Sequence, residues 1–75
     1  MNSLNAELAI VRRMVKDLWE VKSELGNRRT ARILFTIYET CIVLLHGFIK
    51  KSKKTPPSDL RLAKERMKSF LKGKQ

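Results

Sequence analysis

The stretch His46-Gly47-Phe48-Ile49-Lys50-Lys51-Ser52-Lys53-Lys54-Thr55-Pro56 decides how this chain is read. Its first four residues close an apolar run that begins at Cys41. Four lysines then fill five positions ahead of a Thr-Pro pair. The run is apolar on both faces apart from His46, which predicts a central strand covered on both sides. Thr55 suits a helix cap and Pro56 the first helical position, where a missing N–H costs nothing. A buried strand ending in a cationic loop holds positive charge on a rigid platform, so a phosphate-bearing partner is the first expectation.

Downstream of that loop, residues 57–72 predict a C-terminal helix. Leu60, Ala63, Met67, Phe70 and Leu71 form one apolar stripe, Asp59 complements the helix dipole, and Gly73 ends the element. Upstream, Glu39-Thr40 is short enough for a tight hairpin into a preceding strand from about Arg29 to Tyr38. On that strand Ala31, Ile33, Phe35 and Ile37 share one face, and Arg32, Leu34, Thr36 and Tyr38 the other. Arg32 is expected to point away from the core. Before it, Leu25-Gly26-Asn27 supplies turn residues. Trp19, Val21 and Ser23 alternate with Glu20, Lys22 and Glu24, as in a half-exposed strand. Leu4, Leu8, Val11 and Val15, with Ile10 and Met14, recur at three-to-four spacing behind a capping Ser3, which predicts an N-terminal helix over residues 3–15.

The expected architecture is one α+β domain over residues 1–75. It comprises an N-terminal helix in 1–16, a three-stranded antiparallel meander in 17–49, a basic loop in 50–56 and a C-terminal helix in 57–72. Helices on one face would leave an outer strand edge open, through which a second copy could pair to form a homodimer.

A chain of 75 residues is near the lower limit for a self-sufficient core, because only roughly 60% of its surface is buried on folding. Charge is the strongest compositional signal: 17 Lys+Arg against 7 Asp+Glu, net +10. Residues 1–49 hold seven basic and five acidic groups, whereas residues 50–75 hold ten and two. That imbalance favours nucleic acid or another anionic surface as partner, through counterion release. Cys41 is the only cysteine and is expected to be a buried small hydrophobe in a reducing cytoplasm. No signal peptide opens the chain, and no apolar run approaches the ~18 residues of a membrane span.

The chemistry on offer is cationic. One His and one Cys cannot supply a tetrahedral metal site, no cofactor cradle is present, and the carboxylates are too scattered to be called an acid/base pair. Lys50, Lys51, Lys53 and Lys54 suit phosphate binding, and the basic helix that follows favours this over a merely solvated loop. Arg32 is a candidate bidentate phosphate clamp or an ordinary exposed strand arginine. His46 is a candidate acid/base group, although a lone histidine in an apolar strand is more often a hydrogen-bonded core residue. Gly47 is expected to mark a bulge or close backbone approach. Trp19 and Phe48 could stack bases but fit the core better.

Asp17-Leu18-Trp19-Glu20-Val21, Arg32-Ile33-Leu34-Phe35, Ile42 through Lys51, Lys54-Thr55-Pro56 and Leu62-Ala63-Lys64-Glu65-Arg66 together resemble the phage-derived branch of HigB/RelE-type toxins of bacterial toxin–antitoxin pairs. The resemblance runs from about Val15 to Leu71 and is most specific in the His-Gly-Phe-x-Lys-Lys-x-x-Lys-Thr-Pro stretch. It implies a RelE-like microbial RNase fold and a cytoplasmic endoribonuclease cutting mRNA on the ribosome. It also implies a helix-turn-helix antitoxin as partner. The implied chemistry is attack of a ribose 2′-OH on the adjacent phosphate. On that basis Arg32, Lys50 and Lys51 are candidate catalytic residues, and His46 joins them as the acid/base candidate read from its residue type. Lys53, Lys54, Lys22, Arg28 and Arg29 are the candidate RNA-binding residues.

Two departures stand out. Relatives place a strand and a helical segment ahead of the Leu-Trp-Glu strand, where only residues 1–14 stand here, so a shortened member is expected. Glu24 occupies a sheet-surface position where relatives commonly have a basic residue, with Arg28 and Arg29 close by. The alternative implied is an inactive relative that only binds RNA or the ribosome, or self-associates.

Overall fold

The computed structural model describes residues 9–51 and 53–74. Strands β1 (Ala9–Val15), β2 (Leu18–Glu24), β3 (Thr30–Tyr38) and β4 (Cys41–Lys50) form one antiparallel sheet in the order β1-β2-β3-β4, followed by helix α1 (Pro57–Lys72). The class is α+β, as expected, but the sheet has four strands and the N-terminal helix is not found. Residues 9–15 pair with β2, Val11 opposite Val21 and Arg12 opposite Glu20. Residues 3–8 of that predicted helix lie outside the described residues. The apolar positions of so short a segment fit either period, and β-branched Ile10, Val11 and Val15 favour a strand once a partner edge is available.

The hairpins follow local chemistry. Tyr38 pairs with Cys41 across Glu39-Thr40, with Glu39 in the left-handed region at φ 57°. Asp17 takes φ 65° at the β1–β2 turn. In the β2–β3 loop Asn27 and Arg28 sit at φ 61° and 62°, closed by the Leu25 N–H donating to the Arg29 carbonyl at 2.8 Å.

Because each strand pairs with its chain neighbours, the last strand is an edge. β4 is therefore not the doubly covered centre its apolar run predicts: Ile42 is 64% exposed and Leu44 69%. Cys41 is likewise exposed. Register skips one residue of β4 between His46 and Leu44, opposite Leu34 and Phe35. The extra residue is Leu45, so the bulge lies two residues from Gly47. A Cβ built at Gly47 would meet nothing closer than 3.7 Å. The bulge turns Leu45 and His46 toward the helix, and the Leu45 carbonyl accepts from Arg66 Nη1 at 2.9 Å.

Helix α1 covers the face carrying Arg32, Leu34, Thr36 and Tyr38, the reverse of the expected orientation of β3. Ala63, fully buried, lies with Leu18, Leu34 and Leu45, and Leu60, Met67, Met14 and Val43 pack around them. Phe70 meets Tyr38 edge-on at 5.5 Å. Pro56 occupies the helix cap position with Pro57 first in the helix, and the cap makes no side-chain hydrogen bond. Thr55 does not cap the helix; its hydroxyl donates to Glu20 instead.

Candidate functional site

The covered face holds two charged clusters and opens at one end into a basic cavity. Glu20 is the centre of the first cluster. Read as an exposed strand residue, it is instead fully buried. Its Oε1 accepts from Arg32 Nη1 at 3.1 Å and from Arg12 Nε at 3.2 Å, and its Oε2 accepts from the Thr55 hydroxyl. Arg32 is only 2% exposed. Strand pairing sets this up, since β2 brings Glu20 beside Arg12 of β1 and two register positions, on the same face, from Arg32 of β3. The buried guanidinium and carboxylate then satisfy each other.

The second cluster forms where β4 meets the start of α1. Asp59, in the helix's first turn, accepts from His46 Nε2–H at 2.6 Å and from Lys50 Nζ at 2.7 Å. His46 also stacks on Phe48, ring centres 5.3 Å apart, and Lys50 Nζ lies 5.5 Å from that ring. The hydrogen bond from Lys50, then that from His46, holds the Asp59 carboxyl below its ordinary value, with burial pulling the other way. The folded value being the lower one, the stabilisation from Asp59 is complete above the ordinary value of 3.8 and is lost as pH falls through the folded value. Asp59→Asn should therefore be less stable than the parent at neutral pH, with the gap beginning to close only as pH falls below the ordinary value of 3.8. Acid titration with denaturant melts read by Trp19 fluorescence checks this; a gap unchanged from about pH 6 to pH 2 would sink the assignment.

Beside these clusters lies a cavity of about 420 Å³ lined by Lys22, Glu24, Leu25, Arg28, Arg29, Thr30, Arg32, Lys51 and Lys53. The β2–β3 loop supplies Arg28 and Arg29, the strand ends supply Lys22 and Arg32, and the segment after β4 supplies Lys51 and Lys53. Six cations facing one carboxylate make a concave positive surface.

Of the residues selected from sequence, Lys22, Arg28, Arg29, Arg32, Lys51 and Lys53 come together here. His46, Lys50 and Lys54 are not part of the lining. Glu20, Asp59 and Thr55 are the functional neighbours that sequence reasoning missed. An acidic residue in the first helical turn just after a lysine cluster was a usable signal for Asp59; nothing local marked Glu20.

With this geometry in place, comparison with known families gives one finding. The family model described as phage-derived protein Gp49-like (DUF891) matches residues 3–68. The chain belongs to that family, which is associated with toxin–antitoxin systems. No curated protein and no solved structure gives a significant match. Among the described residues no helix is long and apolar enough to cross a membrane.

Proposed function

We propose that this protein is the toxin of a type II toxin–antitoxin pair with a RelE-like fold, a cytoplasmic endoribonuclease that cuts mRNA on the ribosome and is restrained by a helix-turn-helix antitoxin. The observation that carries the reading is the basic cavity formed by Lys22, Arg28, Arg29, Arg32, Lys51 and Lys53 in a member of a toxin–antitoxin family. Lys51, Lys53, Arg28 and Arg29 hold the RNA backbone and neutralise charge gathering on the scissile phosphate as the 2′-OH attacks. Lys50 stands next to Lys51, and Asp59 fixes its position and that of His46. With Nε2–H committed to Asp59, the other ring nitrogen of His46 is the atom suited to proton transfer.

A specific observation favours a second reading, a non-cleaving RNA- or ribosome-binding module. Arg32 is spent on Glu20, and both His46 and Lys50 on Asp59. Brief induced expression separates the two. The first reading expects growth arrest with new 5′ ends inside ribosome-bound messages. Salt-sensitive co-sedimentation with ribosomes and intact messages would reject it in favour of the second.

A further inference from the structure

The sheet has a second face, and nothing in the described chain covers it. Strand register places Val11, Arg13, Trp19, Val21, Ile33, Phe35, Ile37, Ile42, Leu44 and Ile49 on the side opposite α1. Phe35, opposite Trp19 and Leu44 in the register, is 8% exposed, but the surrounding aliphatic residues are open: Val11, Ile33, Ile37, Ile42, Leu44 and Ile49 are between 39% and 69% exposed. We infer that this face is the interface of a homodimer, in which two copies pack back to back as a two-sheet sandwich.

Area, charge and stability support a second copy as the occupant. The six open side chains alone leave on the order of 600 Å² of apolar surface, at the upper end for a monomer's largest patch. Two such faces bury about 1,200 Å², which reaches the range of specific protein interfaces. The chain carries net +10, so two copies should repel unless their charges are kept apart. On this face the register places a single charged side chain, Arg13 on edge strand β1, while the basic cavity opens on the other side. Packed sheets sit about 10 Å apart, so the two cavities point outward and lie beyond a Debye length of ~8 Å. Among the described residues the core is thin, with Leu18, Leu34, Phe35, Leu45 and Ala63 as the buried hydrophobic residues. A second sheet supplies the missing layer. Pairing through an open strand edge would satisfy backbone groups but leave this face wet.

Sedimentation equilibrium of the whole chain over about 1–100 µM should show a dimer, and its thermal midpoint should rise with concentration, as mass action requires. Ile42→Lys/Leu44→Lys alters the two most exposed positions, where a monomer loses little, and should weaken dimerisation at least about 100-fold. A wild-type chain that stays a folded monomer at about 100 µM, with a midpoint independent of concentration, overturns the inference. A double variant that dimerises as tightly as the parent also overturns it, by moving the contact to a strand edge. If the variant fails to fold, the concentration dependence of the wild-type midpoint still decides. None of these readouts involves RNA, so the result is independent of the proposed activity.

Discussion

Glu20→Ala should cost roughly 3–5 kcal/mol and lower the melting midpoint by more than about 10 °C. The carboxylate is fully buried and receives Arg32, Arg12 and Thr55. Truncating it removes the carboxylate that the Arg32 guanidinium, 2% exposed, faces at 3.1 Å. Desolvating a cation without compensation costs more than the bond itself contributes, so removing one partner is far worse than removing both. Glu20→Met/Arg32→Met should accordingly recover most of the loss. The total stability of small domains is about 5–15 kcal/mol, so the single variant should sit close to unfolding at 37 °C. Thermal melts followed by circular dichroism measure both variants. A Glu20→Ala midpoint within about 2 °C of the parent would show that the network is not a structural element. The same experiment bears on Arg32: if the arginine serves only the fold, the double methionine variant should keep whatever RNA affinity the parent has.

Arg28→Ala/Arg29→Ala/Lys51→Ala/Lys53→Ala should weaken single-stranded RNA binding by about two to three orders of magnitude near 0.1 M salt, and lower the salt slope by about 3. The estimate follows from counterion release, each neutralised phosphate contributing ~0.7 to the slope for a single strand. All four residues are exposed around the cavity, so the fold should tolerate their loss. Arg61→Ala/Lys64→Ala/Lys68→Ala/Lys72→Ala, on α1, is the control. It removes the same charge from exposed positions that do not line the cavity. If RNA recognition uses the cavity, the control loses several-fold and the cavity variant far more. Equal losses would mean that RNA responds to overall charge, and the cavity would no longer be the binding site. Fluorescence anisotropy with a labelled oligoribonucleotide over a salt series reads both quantities.

Much of the fold was legible in the sequence where the signal is local. The alternation along β2 and β3, the two-residue turn at Glu39-Thr40 and the helix ending at Gly73 need no distant partner to be read. β1 was misread because Ile10, Val11, Met14 and Val15 satisfy a helical stripe as well as a strand, and pairing with β2 decided between them. β4 was misplaced for a related reason. A run apolar on both faces reports that both faces avoid water, not what covers them. Here one face meets α1 and, among the described residues, nothing covers the other.

The candidate site divides the same way. The cationic loop was visible as composition, and Lys51 and Lys53 do line the cavity with Arg28 and Arg29. The roles of Arg32, His46 and Lys50 were not visible, because their partners Glu20 and Asp59 lie 9 to 13 positions away. Reading β3 with its aliphatic face inward was reasonable on hydropathy alone. Arg32 and Thr36 are nevertheless buried, Arg32 against Glu20, beneath a helix whose placement strand pattern does not encode.

The sequence by itself determined the order of elements after the first strand, the positive character of the segment after β4, and kinship to a phage-derived family associated with toxin–antitoxin systems. Each is written in neighbouring residues, through periodicity, turn chemistry, charge or a contiguous motif. Only the tertiary structure decided which lysines and arginines are neutralised internally and which face a cavity. It alone left one sheet face apolar and uncovered by the described residues. These outcomes depend on carboxylates and hydroxyls reaching across up to 35 positions, and on the side of the sheet against which a single helix settles.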